Sequence, residues 1–209
     1  MNVDGIIRSA TLLFVLLNPF LLSVYLLDAF RRLDAATFTA VMLRGAAIST
    51  GVFLLFGWLG EDVFRDVLQV RFASFLVFGG VIFLLVGVRF VFQGPQAVEL
   101  LRGEPEHVAG SVAMPFMVGP GTINASILAG YRLPFPDAAL AIVSAVLATA
   151  VIVIALKRVY DWVKERNERL VSRYVDLCGR ISALIIGTFA VEMIFLGVEQ
   201  WLQSNGSPT

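Results

Sequence analysis

Met114-Pro115-Phe116-Met117-Val118-Gly119-Pro120-Gly121-Thr122-Ile123-Asn124 sets two prolines and two glycines in the middle of an apolar segment, and Leu17-Asn18-Pro19-Phe20 interrupts another about a hundred residues earlier. Proline within a helix removes one backbone hydrogen bond and clashes with the preceding turn. In hydrocarbon such unpaired groups are tolerated only where protein buries them or a watery cavity solvates them. A helix-breaking dipeptide in equivalent places of two halves is the mark of a transporter built from repeats.

The surrounding composition puts the chain in a membrane. Of its 209 residues 58% are apolar and only 15% charged, against roughly 25% charged in an ordinary soluble domain. Mean hydropathy is +0.83. The formal net charge is zero, so no basic field exists to recruit nucleic acid. One cysteine, Cys178, closes no disulfide within the chain. Arg8 and the apolar run after it resemble a signal peptide, but the run is broken at Asn18-Pro19 and ends at Leu27-Asp28 without a small-x-small cleavage site. It is read as a retained first span.

Apolar stretches of about 20 residues give six spans, at roughly 6–27, 38–60, 70–92, 108–130, 137–157 and 179–202. The expected fold is an all-α membrane protein of six transmembrane helices, with the first and fourth broken near the midplane. Three spans per half is an odd number, so a second copy of the first half enters the membrane upside down. Two inverted three-helix repeats follow, 1–104 and 105–209, forming one membrane domain. Pro19 pairs with Pro120, and Val88-Arg89-Phe90-Val91-Phe92-Gln93-Gly94 aligns with Val191-Glu192-Met193-Ile194-Phe195-Leu196-Gly197 after a slip of two residues. Lys157 to Asp176 carries both charge signs with apolar residues at near-helical spacing, which predicts an amphipathic surface helix prolonging the fifth span.

Orientation comes from the short loops. Arg31, Arg32, Arg102, Lys157, Arg158, Lys164, Arg166, Arg169 and Arg173 fall on one side, against Arg8, Arg65, Arg71 and Arg132 on the other. Lysine and arginine concentrate in cytoplasmic loops, so both termini are expected outside.

A helix starting after Gly121 would aim unpaired N–H groups and a positive dipole end into the interior, an arrangement suited to a carboxylate. Thr122, Asn124 and Ser126 add donors and acceptors, and Asn18 offers an amide from the opposite repeat. The plainer reading is that Asn18 and Thr122 only cap backbone groups freed by kinks. Two symmetric breaks favour a binding site. Arg44 and Glu192 lie well inside apolar spans, where charge is costly, and could pair, bind protons or orient a solute; Arg89 and Arg180 lie near span ends and are read as snorkelling. Small residues at four-residue spacing, among them Gly45 with Ser49, Ala47 with Gly51, and Ala141 with Ala145 and Thr149, are read as helix packing. His107, the only histidine, sits in a loop, so no His-dependent metal site or nucleophile pair can assemble within the membrane, and no phosphate-binding glycine loop is present. Neither catalysis nor a cofactor is expected.

Leu17-Asn18-Pro19-Phe20, the stretch Phe78-Gly79-Gly80-Val81-Ile82-Phe83-Leu84-Leu85, the segment from Met114-Pro115 to Thr122-Ile123, and Arg180-Ile181 together resemble the MarC family of small bacterial and archaeal membrane proteins. The similarity runs from about residue 6 to 200, and the Gly-Pro-Gly segment is its most specific part. It implies a six-span protein of the cytoplasmic membrane, related in fold to amino acid exporters, with some members assigned to neutral amino acid transport. By position it implies Asn18, Pro19, Gly119, Pro120 and Gly121 as site-forming, and Arg44 and Arg180 as recurrent arginines. The chain departs from the family at Leu21, Leu22 and Val24, where a Gly-Asn and a second proline are usual. It also departs at Arg89, commonly acidic, and at Glu192, commonly an amide.

The resulting expectation is a secondary transporter of small neutral amino acids. N–H groups after Gly121 would hold the carboxylate and carbonyls freed near Asn18-Pro19 the ammonium. The expected partners are the lipid bilayer and that solute; a homo-oligomer is allowed. The alternatives are a channel or exporter for an ion or other small metabolite, and a non-transporting membrane scaffold factor.

Overall fold

The computed structural model describes residues 2–67, 69–93, 117–164 and 168–206. Among these residues every regular element is helical. α1 (Val3–Leu17) begins at an Asn2 cap whose Oδ1 accepts the Gly5 N–H at 3.0 Å. It ends at Asn18 for a local reason. A residue before proline is excluded from the α region, and asparagine is among the few residues that tolerate the left-handed one. Asn18 takes φ 43° and ψ 80° accordingly.

α2 (Pro19–Tyr25) starts with proline at the first helical position, where a missing N–H costs nothing. α3 (Leu27–Arg32) follows. Asp34 then caps α4 (Ala35–Leu59), accepting the Ala36 and Thr37 N–H groups at 3.2 and 3.3 Å. A hydrogen bond from the Thr37 side chain, and then these backbone bonds, hold its carboxyl below the usual aspartate range. Gly60, at φ 62°, ends α4 and leads into a π-helical turn, Val63–Val67. α5 (Phe72–Gln93) is next, and the chain is described again from Met117 into α6 (Pro120–Arg132). Leu133, before Pro134, is extended and stops α6. α7 (Phe135–Lys164) and α8 (Glu168–Gly206) complete the order.

Among the described residues five stretches are long and apolar enough to cross a membrane: Val3–Ser23, Ala35–Leu59, Phe72–Arg89, Phe135–Lys164 and Ala183–Gln203. The predicted fourth span is represented by α6, whose 13 residues cover its second part; Met114, Pro115, Phe116, the third connection with His107 and the boundary between the two halves lie outside the described residues. The predicted surface helix prolonging the fifth span is found in part. Its first part prolongs α7 to Lys164, and its remainder belongs to α8 from Glu168 onward.

The ends of the helices gather in two groups. At one end the Asn2 N–H donates to Asp137 Oδ2 at 2.9 Å, and Glu61, Arg71, Tyr131 and Gln203 border a common depression. At the other, Phe30 packs edge-on to Phe38 and Tyr160 with ring centroids 5.0 and 5.6 Å away. Both ends of the chain's helical part therefore lie at one end of the bundle. Trp58 and Trp201 fall toward that end and Trp162 toward the other, all exposed, as interfacial aromatics are.

α7 runs through the middle, burying Ala138, Ala141, Ile142, Ala145, Val146, Thr149, Ala150 and Val153 against α1 and α4. Its small residues let those helices approach closely. α5 and α8 form the most extensive pair, with glycines in contact: a Cβ on Gly80 would lie 2.8 Å from the Ala190 carbonyl oxygen, and one on Gly87 3.3 Å from that of Ala183. Ala47 and Gly51 behave otherwise: both are exposed, and nothing lies within 4 Å of where a Gly51 Cβ would be. Lys157, read from sequence as a loop cation, is 3% exposed and paired with Asp161.

Candidate functional site

α1 ends at Asn18 and α6 begins at Pro120, and the two points lie at similar depth. α1 has 15 residues before Asn18, roughly 22 Å, and α6 has 13 after Gly119, roughly 20 Å, each measured from the same end of the bundle.

The first break is closed by its own asparagine. The Asn18 N–H donates to Phe14 O at 3.1 Å, Leu22 N–H returns to Asn18 O at 2.9 Å, and Leu21 N–H donates to Asn18 Oδ1 at 3.1 Å. One residue thus ends α1 and caps α2. Pro19 has no N–H to offer the Val15 carbonyl, and the Leu21 N–H has gone to the Asn18 side chain instead of the Leu17 carbonyl. The carbonyls of Val15, Leu16 and Leu17 are thus left without a backbone donor among the described residues, while Asn18 is half-buried and Pro19 buried.

The second break is built differently. Gly119 is extended, at φ −132° and ψ 170°, and offers no side-chain acceptor to the N–H groups of Gly121 and Thr122. Thr122 turns back instead: its hydroxyl accepts the Gly119 N–H at 2.9 Å and shares its proton between Met117 O, at 3.0 Å, and Gly119 O, at 2.9 Å. Gly121 and Thr122 are buried, and Gly119, Pro120 and Asn124 half-buried. Ser126 donates to Thr122 O at 2.8 Å.

The two breaks adjoin. Leu17, Leu22 and Met117 belong to one buried cluster. A Cβ on Gly121 would sit 3.6 Å from Leu16 and 3.4 Å from the Met193 sulfur, and one on Gly119 3.0 Å from the Phe83 ring. Gly79 lies directly against the Pro120 ring. Leu16, Phe83 and Met193 thus close over Gly119–Gly121.

Sequence reasoning passed over one residue here. Ser49, read as a small packing residue, is fully buried, and its hydroxyl has no hydrogen-bond partner among the described residues. α4 and α6 run parallel where Gly57 meets Ser126 and Gly130. Eight residues back along both helices, at equal rise, Ser49 comes level with Gly119–Pro120. A hydroxyl in an apolar stretch was the available signal.

Arg44 and Glu192 are not brought to this junction. Both side chains are exposed, on α4 and α8, and neither has a hydrogen-bond or ion-pair partner among the described residues. Arg89 is also exposed; the Arg180 side chain lies outside the described residues. Among the described residues no group of His, Cys, Asp or Glu side chains is arranged to hold a metal.

Beyond the junction, at the end where α6 terminates, lies the polar depression of about 730 Å³ bordered by Glu61, Asp62, Arg65, Arg71, Tyr131 and Gln203. Arg65 bridges Asp62 and Asp66 at 2.8 Å each, which holds the Asp66 carboxyl below its ordinary range. Burial, and then the neighbouring Asp62, push the Glu61 carboxyl up.

These features define a polytopic helical membrane protein in which the end of α1 and the start of α6 meet in the interior. The chain belongs to the MarC family: residues 3–202 match the family described as MarC family integral membrane protein. It is similar to a "UPF0056 membrane protein" of Buchnera aphidicola subsp. Schizaphis graminum (strain Sg), 20% identical over 206 residues, covering 97% of this chain and 100% of that protein. No solved structure matches the chain.

Proposed function

We propose that this protein is a secondary transporter of small neutral amino acids across the cytoplasmic membrane, working by alternating access between two inverted three-helix repeats, with both termini outside. The observation that carries the reading is the apposition of the two breaks within one buried cluster. Main-chain groups at such breaks are the usual ligands of solutes at the midplane of transporters. The N–H groups of Gly121 and Thr122 suit a carboxylate, and the carbonyls of Val15 and Leu17 an ammonium, so a zwitterion satisfies both breaks at once. The orphan Ser49 hydroxyl adds a polar contact at the same level.

Helix pairing supports the repeat. α1 packs on α7 and α4 on α6, so the second span of each half lies against the broken span of the other; likewise α5 meets α6 and α8 meets α2. The closed packing of Leu16, Phe83 and Met193 is that of an occluded conformation. Rocking one half against the other would open the junction toward the depression lined by Glu61 and Arg71, or toward the opposite face.

Uptake of labelled glycine and alanine by proteoliposomes tests the proposal directly. Saturable flux above that of empty vesicles is expected; no flux across a panel of neutral amino acids would refute the substrate class.

A further inference from the structure

Where α5 and α8 pack together, their closest approach leaves a groove beside it. A Cβ on Gly197 would lie 2.7 Å from the Ala73 carbonyl oxygen and 2.7 Å from the Val77 side chain, so the two backbones meet with little between them. Small residues admit that approach and fill none of the space alongside. The resulting groove, about 430 Å³, runs along α5 from Ser74 to Val81, roughly 10 Å. Phe78, Val81, Val198 and Trp201 line it and are exposed, so it opens toward lipid.

The groove climbs from mid-membrane to the headgroup layer. Gly79, within its length, lies against Pro120 at the depth of the breaks. Arg71 immediately precedes the apolar stretch Phe72–Arg89, and Trp201 stands two residues from the end of Ala183–Gln203. Arginine and tryptophan at span ends belong to the interface. The Arg71 guanidinium sits over the Trp201 ring, 5.9 Å from its centroid. At that point the groove adjoins the polar depression: Trp201 lines the groove, Arg71 the depression, and Ala73 both.

An apolar groove open to a bilayer takes an acyl chain, and the charges at its upper end select the headgroup. Arg65 is engaged by Asp62 and Asp66 at 2.8 Å each. The other charges lining the depression are Arg71 and Glu61, one of each sign. A guanidinium matches a phosphate. Burial and the neighbouring Asp62 push the Glu61 carboxyl up, and an ammonium placed beside it would offset both. That ammonium is a primary one, because a carboxylate accepts its N–H bonds. A quaternary ammonium donates none and is held by aromatic cages, whereas the aromatic side chains lining the depression, among the described residues, are Tyr131 and the buried Phe72.

We propose that this flank binds an ethanolamine phospholipid, with one acyl chain in the groove between α5 and α8, the phosphate on Arg71 and the ammonium on Glu61. The site stands whichever solute the buried junction takes.

Thermal unfolding of delipidated protein in mild detergent, with lipid added back, tests this. Phosphatidylethanolamine at tenfold over its Kd is expected to raise Tm by roughly 3–6 °C, and phosphatidylcholine or phosphatidylglycerol with the same chains by less than about half of that. Equal shifts from all three would overturn the proposal. Glycerophosphoethanolamine, the headgroup without chains, is expected to give no shift; a rise matching that of the lipid would make the ligand a soluble phosphate compound instead. Arg71→Gln is expected to lose the shift with every lipid, and Glu61→Gln to lose only the preference for ethanolamine over choline. Ser74→Trp, which fills the groove from its exposed edge, is expected to lose the shift altogether. A wild-type response in either Arg71→Gln or Ser74→Trp would remove the site, and a retained ethanolamine preference in Glu61→Gln would remove its headgroup assignment. If light scattering showed Ser74→Trp turning a wild-type multimer into monomers, the groove would belong to a second copy rather than to lipid. The lipid series on the wild-type protein decides the matter even where a variant fails to fold.

Discussion

The two proline breaks use the same covalent device and end in different chemical states. At Asn18-Pro19 the residue before proline carries a side chain that both stops one helix and caps the Leu21 N–H of the next. At Gly119-Pro120 that residue has no side chain, and the hydroxyl that turns back belongs to Thr122. There the first N–H groups of α6 have no side-chain cap. The first break thus carries a side-chain cap and the second carries none, and the residue preceding proline decides this.

The largest effect is expected where the second break is wedged. A Cβ on Gly79 would overlap the Pro120 ring, and neither backbone can yield without shifting the start of α6. Gly79→Ala is expected to cost about 1–3 kcal/mol, the usual range for overpacking, and to abolish uptake. Thermal unfolding in detergent beside proteoliposome flux would read both. Wild-type flux in a stable Gly79→Ala protein would break the link between this contact and the site.

Capping substitutions separate the breaks further. Thr122→Val keeps the volume but leaves the half-buried Gly119 N–H without its acceptor, at about 1–3 kcal/mol. Asn18→Gly keeps the left-handed conformation and loses only the side-chain cap, at a few tenths of a kcal/mol, roughly, whereas Asn18→Ala loses both and costs about 2 kcal/mol. The same unfolding measurement ranks them. If Asn18→Gly were as damaging as Asn18→Ala, the side chain rather than the backbone would be the essential part of the first break.

What the sequence made legible was local. Proline chemistry fixed both breaks to within a residue, and the small residues of α7 were recognised as packing because their spacing is helical. The outward placement of Arg44 and Glu192 was not legible. Spans that are apolar all round give periodicity no means of telling the inner face from the lipid face, and which face is inner depends on the neighbours. Lys157 was misplaced for the same reason: its charge argued for a loop, while burial beside Asp161 and Tyr160 is a tertiary fact. Ser49 was seen but assigned to packing, since a hydroxyl ordinarily returns its proton to its own helix, as Thr149 does to Ala145 O at 2.9 Å.

Ser49 sharpens the comparison because stability and function should part company there. If its hydroxyl waits for a solute, Ser49→Ala removes an unsatisfied buried group and is expected to leave stability unchanged or raise it by up to about 1 kcal/mol. Affinity for the amino acid should fall severalfold over the same substitution, measured as the KM of uptake. A destabilised Ser49→Ala protein with an unchanged KM would return the residue to packing.

The smallest effect belongs to the rim. Burial and Asp62 raise the Glu61 carboxyl in the folded protein, so the native state binds more protons than the unfolded one between the ordinary glutamate range and the raised value. Stability contributed there is present at lower pH and declines as pH rises through that window. Glu61→Gln removes the titrating group and is expected to flatten this part of the pH profile of thermal unfolding while leaving KM at neutral pH unchanged. Because Glu61 lies at the mouth and Ser49 at the breaks, a KM that moved with Glu61→Gln and not with Ser49→Ala would transfer solute recognition from the buried junction to the rim.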